Sequence, residues 1–166
     1  FGYACTSGAL HIGSEAIAAA VSEIRPAFQV TNPLLAAVTA CQSIGAKTIA
    51  FLAPYAESVS QTMVDAFEAD GIRVTHAATF NESEDRIVWR IDPESIYASA
   101  VSLIGLGEVD AVFMACTNMK CATVIPRIEQ DTGIYALSSN QVLAWHMARL
   151  AGLEKISSAK GKLFTH

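Results

Sequence analysis

The sequence is poor in charged residues and has no long apolar run. Charged side chains make up 16% of the 166 residues, and 11 Lys and Arg against 16 Asp and Glu give a net charge of -5. No cluster of Lys and Arg offers a counter-charge to a phosphate backbone, so we expect no nucleic-acid partner. The longest apolar runs, such as 48–54 and 110–116, are far shorter than the ~20 residues of a bilayer-spanning helix. We therefore expect no membrane partner.

Motifs of cofactor and metal sites are absent as well. Neither G-x-G-x-x-G nor G-x-x-x-x-G-K-[ST] occurs, so we expect no nucleotide cofactor. No His-x-x-x-His pair or carboxylate cluster accompanies the cysteines, so we expect no metal. No basic and apolar leader precedes the first folded segment, which predicts a cytoplasmic location with free thiols. The helical position of Cys41 and the spacing of Cys121 from Cys116 predict structural roles for Cys41 and Cys121.

Segments of strand length alternate with segments of helical periodicity along most of the chain. Strands are predicted at 47–54, 72–79, 109–115 and 133–137. Helices are predicted at 34–44, 58–70, 93–105, 118–130 and 141–151. This alternation is typical of βαβ units, so the predicted fold class is α/β, with a parallel four-stranded sheet flanked by helices.

Three details of these elements are predicted from single residues. Pro126 lies inside the helix predicted at 118–130, and we expect it late in that helix or at a kink. Ser139 and Asn140 are expected to cap the last helix. The polar tail at 157–166 is expected to be loosely held.

The most informative feature is a repeated cysteine turn. YACTS at 3–7 and MACTN at 114–118 both follow an apolar run and precede helix-like sequence. The first amides of a helix lack internal partners, so a cysteine at this point is expected to have a lowered pKa. The small polar residues after each cysteine are suited to holding a carboxylate, and they are Thr6, Ser7, Thr117 and Asn118.

A pair of such turns suggests a two-thiol site. If the turns belong to related halves that face each other, Cys5 and Cys116 approach one small substrate from opposite sides. Two thiols in this arrangement can remove and return a proton, or add to a double bond and later leave. The alternative is that both cysteines only pack, since buried cysteine is common in parallel strands. The recurrence of the motif favours the functional interpretation.

Two further residues are candidates at the carboxyl edge of the sheet. Tyr55 directly follows the strand at 47–54, which places its phenol at the same edge as Cys116, where it could donate to a carboxylate. The segment 80–92 contains four acids and two arginines, and its Asn81 could lie over a site at this edge. A solvated connection explains that segment equally well.

These motifs resemble the aspartate/glutamate racemase superfamily, in particular the branch of maleate cis-trans isomerases, arylmalonate decarboxylases and the ectoine-utilisation protein A group. The matching segments are FGYACTSGA at 1–9, TNPLLAA at 31–37, IAFLAPY at 49–55, FNESEDR at 80–86, VDAVFMACTN at 109–118 and LSSNQVLAWH at 137–146. The resemblance implies two pseudo-symmetric α/β halves that each contribute a cysteine, with no metal or organic cofactor. It implies that Cys5 and Cys116 are catalytic and that Tyr55 and Asn81 bind substrate.

The resemblance also implies that most of one half is missing from this sequence. Residues 1–32 correspond to a remnant of the first half with a strand, the cysteine turn and a helix. Residues 33–138 correspond to the second half, and 139–166 to a C-terminal helix and tail that packs back on the first half. The chain begins with Phe1 rather than Met. We therefore expect this sequence to be part of a longer protein and to leave apolar surface uncovered.

The expected function is a cofactor-independent isomerase that acts on a small dicarboxylate such as maleate with two cysteines. A racemase or epimerase that uses the same pair as acid and base is the nearest alternative. An arylmalonate-type decarboxylase is less expected, because those enzymes resemble a site with only one of the two cysteines. A non-catalytic dicarboxylate-binding module is a further alternative. A homo-oligomer is compatible with the sequence, and the ectoine likeness suggests a role in osmolyte breakdown.

Overall fold

A four-stranded parallel sheet forms the centre of the fold. The computed structural model describes residues 1–153, 156 and 159–165. The strands are β1 (Thr48–Ala53), β2 (Arg73–Thr79), β3 (Ala111–Met114) and β4 (Tyr135–Ser138). They lie in the order β2-β1-β3-β4, and every neighbouring pair is parallel. The predicted α/β class and sheet are confirmed.

Helices precede and connect these strands. They are α1 (Thr6–Ile12), α2 (Ser14–Ile24), α3 (Pro33–Ser43), α4 (Glu57–Ala69), α5 (Asp85–Val88), α6 (Pro93–Ile104), α7 (Ile125–Thr132) and α8 (Ser139–Leu150). Short 3-10 helices lie at Cys121–Thr123 and Lys162–Thr165. Across the described residues, no helix combines the length and apolar character needed to cross a membrane.

The core lies on both faces of the sheet. Alternate residues of β1 point to opposite faces, so Phe51 packs with residues of α3 and α4 while Leu52 packs with residues of α6 and α7. Phe51, Phe67 and Phe113 form an aromatic cluster with ring centroids 5.2–6.3 Å apart. Because both faces are covered, the β1 sequence TIAFLA is almost wholly apolar rather than alternating.

Asp110 ties the amino ends of β1 and β3 together. Its Oδ2 accepts hydrogen bonds from the amides of Lys47 and Thr48 and from the Thr48 hydroxyl, each at 2.8 Å. The bond from the Lys47 amide is the largest cause of a lowered pKa for the Asp110 carboxyl, because it stabilises the charged form. Asp110 therefore helps to fix the register of β1 and β3.

The structure corrects three predicted details. The helix predicted at 118–130 begins only at Ile125, which places Pro126 in its first turn, where the missing amide hydrogen costs nothing. Ser138, rather than Ser139 or Asn140, caps α8, because its Oγ accepts from the Gln141 amide at 3.4 Å. The strand expected before Cys5 is a single bridge between Gly2 and Thr31.

The C-terminal segment is held more firmly than its polar sequence suggests. Leu163 is fully buried in the core. The Lys162 amide donates to the buried carboxylate of Glu129 at 2.9 Å. The expectation of a loose tail is wrong for 159–165, and residues 157, 158 and 166 lie outside the described residues.

Apolar side chains of the N-terminal region and of α8 lie in solvent, as expected. Phe1, Ile24, Phe28 and Met147 are exposed. Helix α8 packs mainly on α3, and it also reaches residues near the start of the chain through a 2.9 Å hydrogen bond between Thr6 and Ser139. The division of the chain at 32 and 138 stays a prediction.

Candidate active site

A cavity of about 320 Å³ lies where β1 and β3 end. Its lining consists of Ala4, Cys5, Thr6, Ser7, Tyr55, Asp85, Cys116, Thr117 and Asn118. Seven of the eight predicted site residues are therefore brought together, and Asn81 is the one outside this lining. The carboxyl ends of parallel strands are the usual place for a ligand site in an open α/β sheet.

Cys5 lies at the start of α1, as the sequence predicts. It is the N-cap residue, and its Sγ accepts the Gly8 amide at 3.3 Å and lies 3.8 Å from Ser7 Oγ. Both groups can stabilise a thiolate by donating hydrogen bonds. A Cβ at Gly8 would come within 3.0 Å of this sulfur and 2.6 Å of the Tyr3 hydroxyl. Glycine at position 8 therefore permits this tight turn.

Cys116 occupies a different kind of turn. It follows β3 with a φ of 84°, a left-handed conformation that non-glycine residues rarely adopt. Its Sγ accepts the Asn118 amide at 3.4 Å, but the next α-helix begins only at Ile125. The expected helix-terminus effect is therefore wrong for Cys116.

Burial determines the protonation of Cys116. The residue is only 6% exposed, and this desolvation raises its pKa above the ordinary value. Hydrogen bonds from the Tyr55 hydroxyl and the Asn118 amide oppose the shift, while the negative charge of Asp85 adds to it. The lowered pKa expected from the sequence is thus replaced by a raised one, and Cys116 is a protonated thiol at neutral pH.

Tyr55 connects the two cysteine turns. Its hydroxyl interacts with both Cys116 and Thr6, and burial raises the pKa of Tyr55, so that it remains a neutral donor. Its carbonyl accepts hydrogen bonds from the hydroxyls of Ser60 and Thr79. The backbone after β1 is therefore fixed from two sides, and the phenol is held against Cys116.

Three of the predicted substrate-binding side chains are already engaged within the protein. Thr6 Oγ1 donates to Ser139 Oγ at 2.9 Å, and Thr117 Oγ1 donates to the Ala4 carbonyl at 3.1 Å. Asn118 Nδ2 donates to the Asp85 carbonyl at 2.7 Å. In the part of the chain that the structure describes, the backbone amides of Thr6, Ser7 and Thr117 have no acceptor. These amides are free to donate to an anionic group of a ligand.

The segment 80–92 contributes Asp85 to the cavity instead of Asn81. Asn81 is exposed, and its amide donates to Thr79 Oγ1 at 2.9 Å. Asp85 begins α5 four residues later and lines the cavity. The sequence marked this segment as a candidate, but only the path of its backbone distinguishes Asp85 from the other three acids.

The remaining cysteines do not line this cavity. Cys41 and Cys121 are buried, which raises the pKa of each thiol to about 12. Among the described residues, no three His, Cys, Asp or Glu side chains come together as a metal site requires. Both cysteines occupy core positions, as predicted for structural thiols.

Comparisons with known proteins give a consistent relationship. The family model described as arylmalonate decarboxylase matches residues 13–164. A curated maleate isomerase from Geobacillus stearothermophilus is 24% identical over 163 residues, which are 97% of this chain and 64% of that protein. The chain thus spans slightly less than two thirds of this relative.

Solved structures share the fold. The crystal structure of the maleate isomerase Iso from Pseudomonas putida S16 has a TM-score of 0.90 at 23% identity, covering 99% of this chain and 69% of that chain. A cysteine-to-serine variant of a Nocardia farcinica maleate cis-trans isomerase, with a covalently bound succinylcysteine intermediate, has a TM-score of 0.88 at 23% identity. That match covers 98% of this chain and 69% of the other. With the family model matching nearly the whole sequence, this chain belongs to the arylmalonate decarboxylase family.

Proposed function

We propose that this chain supplies the two-cysteine site of a cofactor-independent isomerase that acts on a small dicarboxylate such as maleate. The observation that carries the proposal is that Cys5 and Cys116 line one cavity together with Tyr55. Two thiols with different surroundings suit a reaction that needs one nucleophile and one acid. The relationship to maleate isomerases supports the choice of substrate.

Cys5 is the proposed nucleophile. Its sulfur accepts the Gly8 amide at 3.3 Å and lines the cavity, and the thiolate of a cysteine is the form that would attack an alkene carbon. The attack forms a carbon–sulfur bond and moves the alkene electron pair onto the neighbouring carbon. The former double bond becomes a single bond, about which the two ends of the substrate can rotate.

Cys116 is the proposed acid. Burial keeps it protonated at neutral pH, so it can give its proton to the carbanion and form a thioether adduct on Cys5. After rotation, the Cys116 thiolate takes a proton back, the double bond reforms as the trans isomer, and the carbon–sulfur bond breaks. Cys5 leaves as a thiolate, and every proton and electron pair returns to its starting group. The Tyr55 hydroxyl stabilises the Cys116 thiolate between these steps.

Substrate carboxylates would be held mainly by backbone amides. The free amides of Thr6, Ser7 and Thr117 border the cavity beside the Ser7 hydroxyl. The side chains of Thr6, Thr117 and Asn118 would act as positioning groups, since each already bonds within the protein. The Nocardia farcinica variant with its succinylcysteine supports a covalent route of this kind. Asn81 stays a substrate-binding prediction of the sequence, and it lies outside the lining of this cavity.

The test is conversion of maleate to fumarate by the full chain, followed by proton NMR. Cys5→Ser and Cys116→Ser are each expected to abolish turnover. Serine is a good helix cap, so Cys5→Ser retains the fold. Cys41→Ala in the core of α3 is the control and is expected to keep turnover. In Cys116→Ser, intact-protein mass spectrometry is expected to detect one maleate added at Cys5, and turnover by either serine variant would refute the mechanism.

The family relationship also supports a decarboxylase as a second candidate, since the matching family model carries that description. Running the reaction in deuterated water separates the candidates. A racemase introduces deuterium at the α carbon of an otherwise unchanged substrate, an isomerase turns maleate into fumarate, a decarboxylase releases carbon dioxide from an arylmalonate, and a binding module forms no product. The resemblance to the ectoine-utilisation group, with its role in osmolyte breakdown, stays a prediction of the sequence.

A further inference from the structure

Two consecutive residues at the start of α8 reach the two cysteine turns. Ser139 Oγ accepts a hydrogen bond from Thr6 Oγ1 at 2.9 Å, and Thr6 directly follows the first cysteine of the site. Asn140 Nδ2 donates to the Thr117 carbonyl at 2.8 Å, and Thr117 directly follows the second cysteine. Because Ser138 caps α8, neither side chain is needed to start the helix.

The two turns are joined to each other by side chains. In the part of the chain that the structure describes, no backbone hydrogen bond joins residues 3–7 to residues 114–118. A direct link between the turns is the 3.1 Å hydrogen bond from Thr117 Oγ1 to the Ala4 carbonyl. The relative placement of the two sulfurs therefore depends on side-chain contacts.

The contact between Thr6 and Ser139 lies inside the protein. Thr6 is 1% exposed and Ser139 is fully buried, so water does not replace either partner and loss of one leaves the other unpaired. The Thr6 hydroxyl also interacts with the Tyr55 hydroxyl, which in turn interacts with Cys116. Ser139 therefore fixes one end of a row of contacts that leads from the first turn to the second sulfur.

Helix α8 gives both side chains a fixed base. Its Val142 and Trp145 are buried in the same core cluster as Phe51 of β1 and Phe113 of β3. Side chains on a packed helix are held more precisely than side chains on a loop. The start of α8 is therefore suited to holding both turns in place.

We propose that Ser139 and Asn140 are positioning residues that hold Cys5 and Cys116 at the separation that two-thiol chemistry on one substrate needs. The proposal rests on the proposed two-cysteine function and adds to it two residues outside the cavity lining. Both act through the threonine that follows each cysteine. Because attack and proton transfer depend steeply on distance, loss of either contact lowers kcat and leaves KM nearly unchanged.

The experiment compares Ser139→Ala and Asn140→Ala with the unaltered full chain. Asn140 is exposed, so its replacement leaves the core intact even if the buried Ser139→Ala variant folds poorly. The control is Ser43→Ala at the end of α3, which removes a serine hydrogen bond of the same length, 2.9 Å to the Ala40 carbonyl. The first measurement is kcat and KM for the isomerisation of maleate, followed by NMR.

The second measurement reports the placement of the two thiols without any substrate. Dibromobimane becomes fluorescent after it has joined two nearby thiols, and peptide mass spectrometry identifies the joined pair as Cys5 and Cys116. Reaction of Cys41 with iodoacetamide reports on the fold, because Cys41 is fully buried and reacts only when the core opens.

We expect Ser139→Ala and Asn140→Ala each to lower kcat by about tenfold to a hundredfold, with KM changed by less than about threefold. Both are expected to slow the joining of the two thiols while Cys41 stays unreactive, and Ser43→Ala is expected to match the unaltered chain. The proposal is overturned by unchanged thiol joining in both variants, by a loss of activity that lies wholly in KM, or by no joining in the unaltered chain.

The two hypotheses fail in different ways. If maleate is not isomerised but the two thiols are joined readily in the unaltered chain and slowly in both variants, the proposed function is wrong and the positioning role stands. If maleate is isomerised and neither variant changes kcat or the joining of the thiols, the proposed function stands and the positioning role is wrong.

Discussion

The hydroxyl of Tyr55 offers a direct test of how the site controls its thiols. This hydroxyl donates to Cys116 and opposes the effect of burial on the Cys116 pKa. Tyr55→Phe removes the donor and leaves the ring in contact with both core clusters. The substitution is therefore expected to raise the pKa of Cys116 further, without unfolding the protein.

The size of the effect follows from the strength of one hydrogen bond. A hydrogen bond to a charged group contributes about 1.5 to 3 kcal/mol. Because about 1.4 kcal/mol is a factor of ten in an equilibrium constant, the fraction of Cys116 present as thiolate at a given pH is expected to fall by about ten- to a hundredfold. Cys116 is buried, so little of this effect is lost to solvent screening.

The assay is alkylation by iodoacetamide across a range of pH, read for each cysteine by peptide mass spectrometry. In Tyr55→Phe, the alkylation profile of Cys116 is expected to move to higher pH. Tyr97→Phe is a matched control, because the Tyr97 hydroxyl bonds to Asp131 at the protein surface. An unmoved profile for Cys116, or one displaced to lower pH, would show that Tyr55 does not stabilise its thiolate.

Three further predictions concern the rest of the fold. Asp110→Asn is expected to lower the free energy of unfolding by about 1 kcal/mol at neutral pH. Because the pKa of Asp110 is lowered in the folded protein, the difference between the two proteins should shrink as acid protonates this carboxyl. Urea unfolding at neutral and acidic pH measures this difference. Phe67→Ala leaves a cavity at a fully buried position and should lower the free energy of unfolding by about 3 to 5 kcal/mol in the same assay. Phe28→Ala, at an exposed position, should change the free energy of unfolding by less than about 0.5 kcal/mol. Cys41 and Cys121, with pKa values raised to about 12, should resist iodoacetamide in the folded protein at neutral pH and react after denaturation; modification of either in the folded state would contradict their burial.

Local sequence predicted most of the secondary structure correctly because the core-forming segments are strongly patterned. The apolar run of β1 and the glycines after α3 and α4 mark element boundaries without reference to the rest of the chain. The predicted start of the helix at 118 was wrong, because Cys116 turns with a positive φ and the chain then forms a 3-10 helix before α7 begins at Ile125. Such a turn is a property of the packed sheet edge and has no periodicity to detect.

The candidate site was partly visible in the sequence for a similar reason. The repeated Ala-Cys-Thr motif and the position of Tyr55 after β1 are local features, and parallel strands bring their carboxyl ends to one edge. The choice between Asn81 and Asp85 was not visible, because four residues within an irregular loop can point in any direction until the loop is packed.

The sequence by itself determined the α/β class, most of the strands and helices and the presence of two cysteine turns, because apolar periodicity and short motifs act over neighbouring residues. Only the tertiary structure decided that Cys5 and Cys116 line one cavity, that Asp85 joins them, and that Cys116 is kept protonated. Burial and charge at a site come from groups that are distant along the chain, so they exist only after packing is complete.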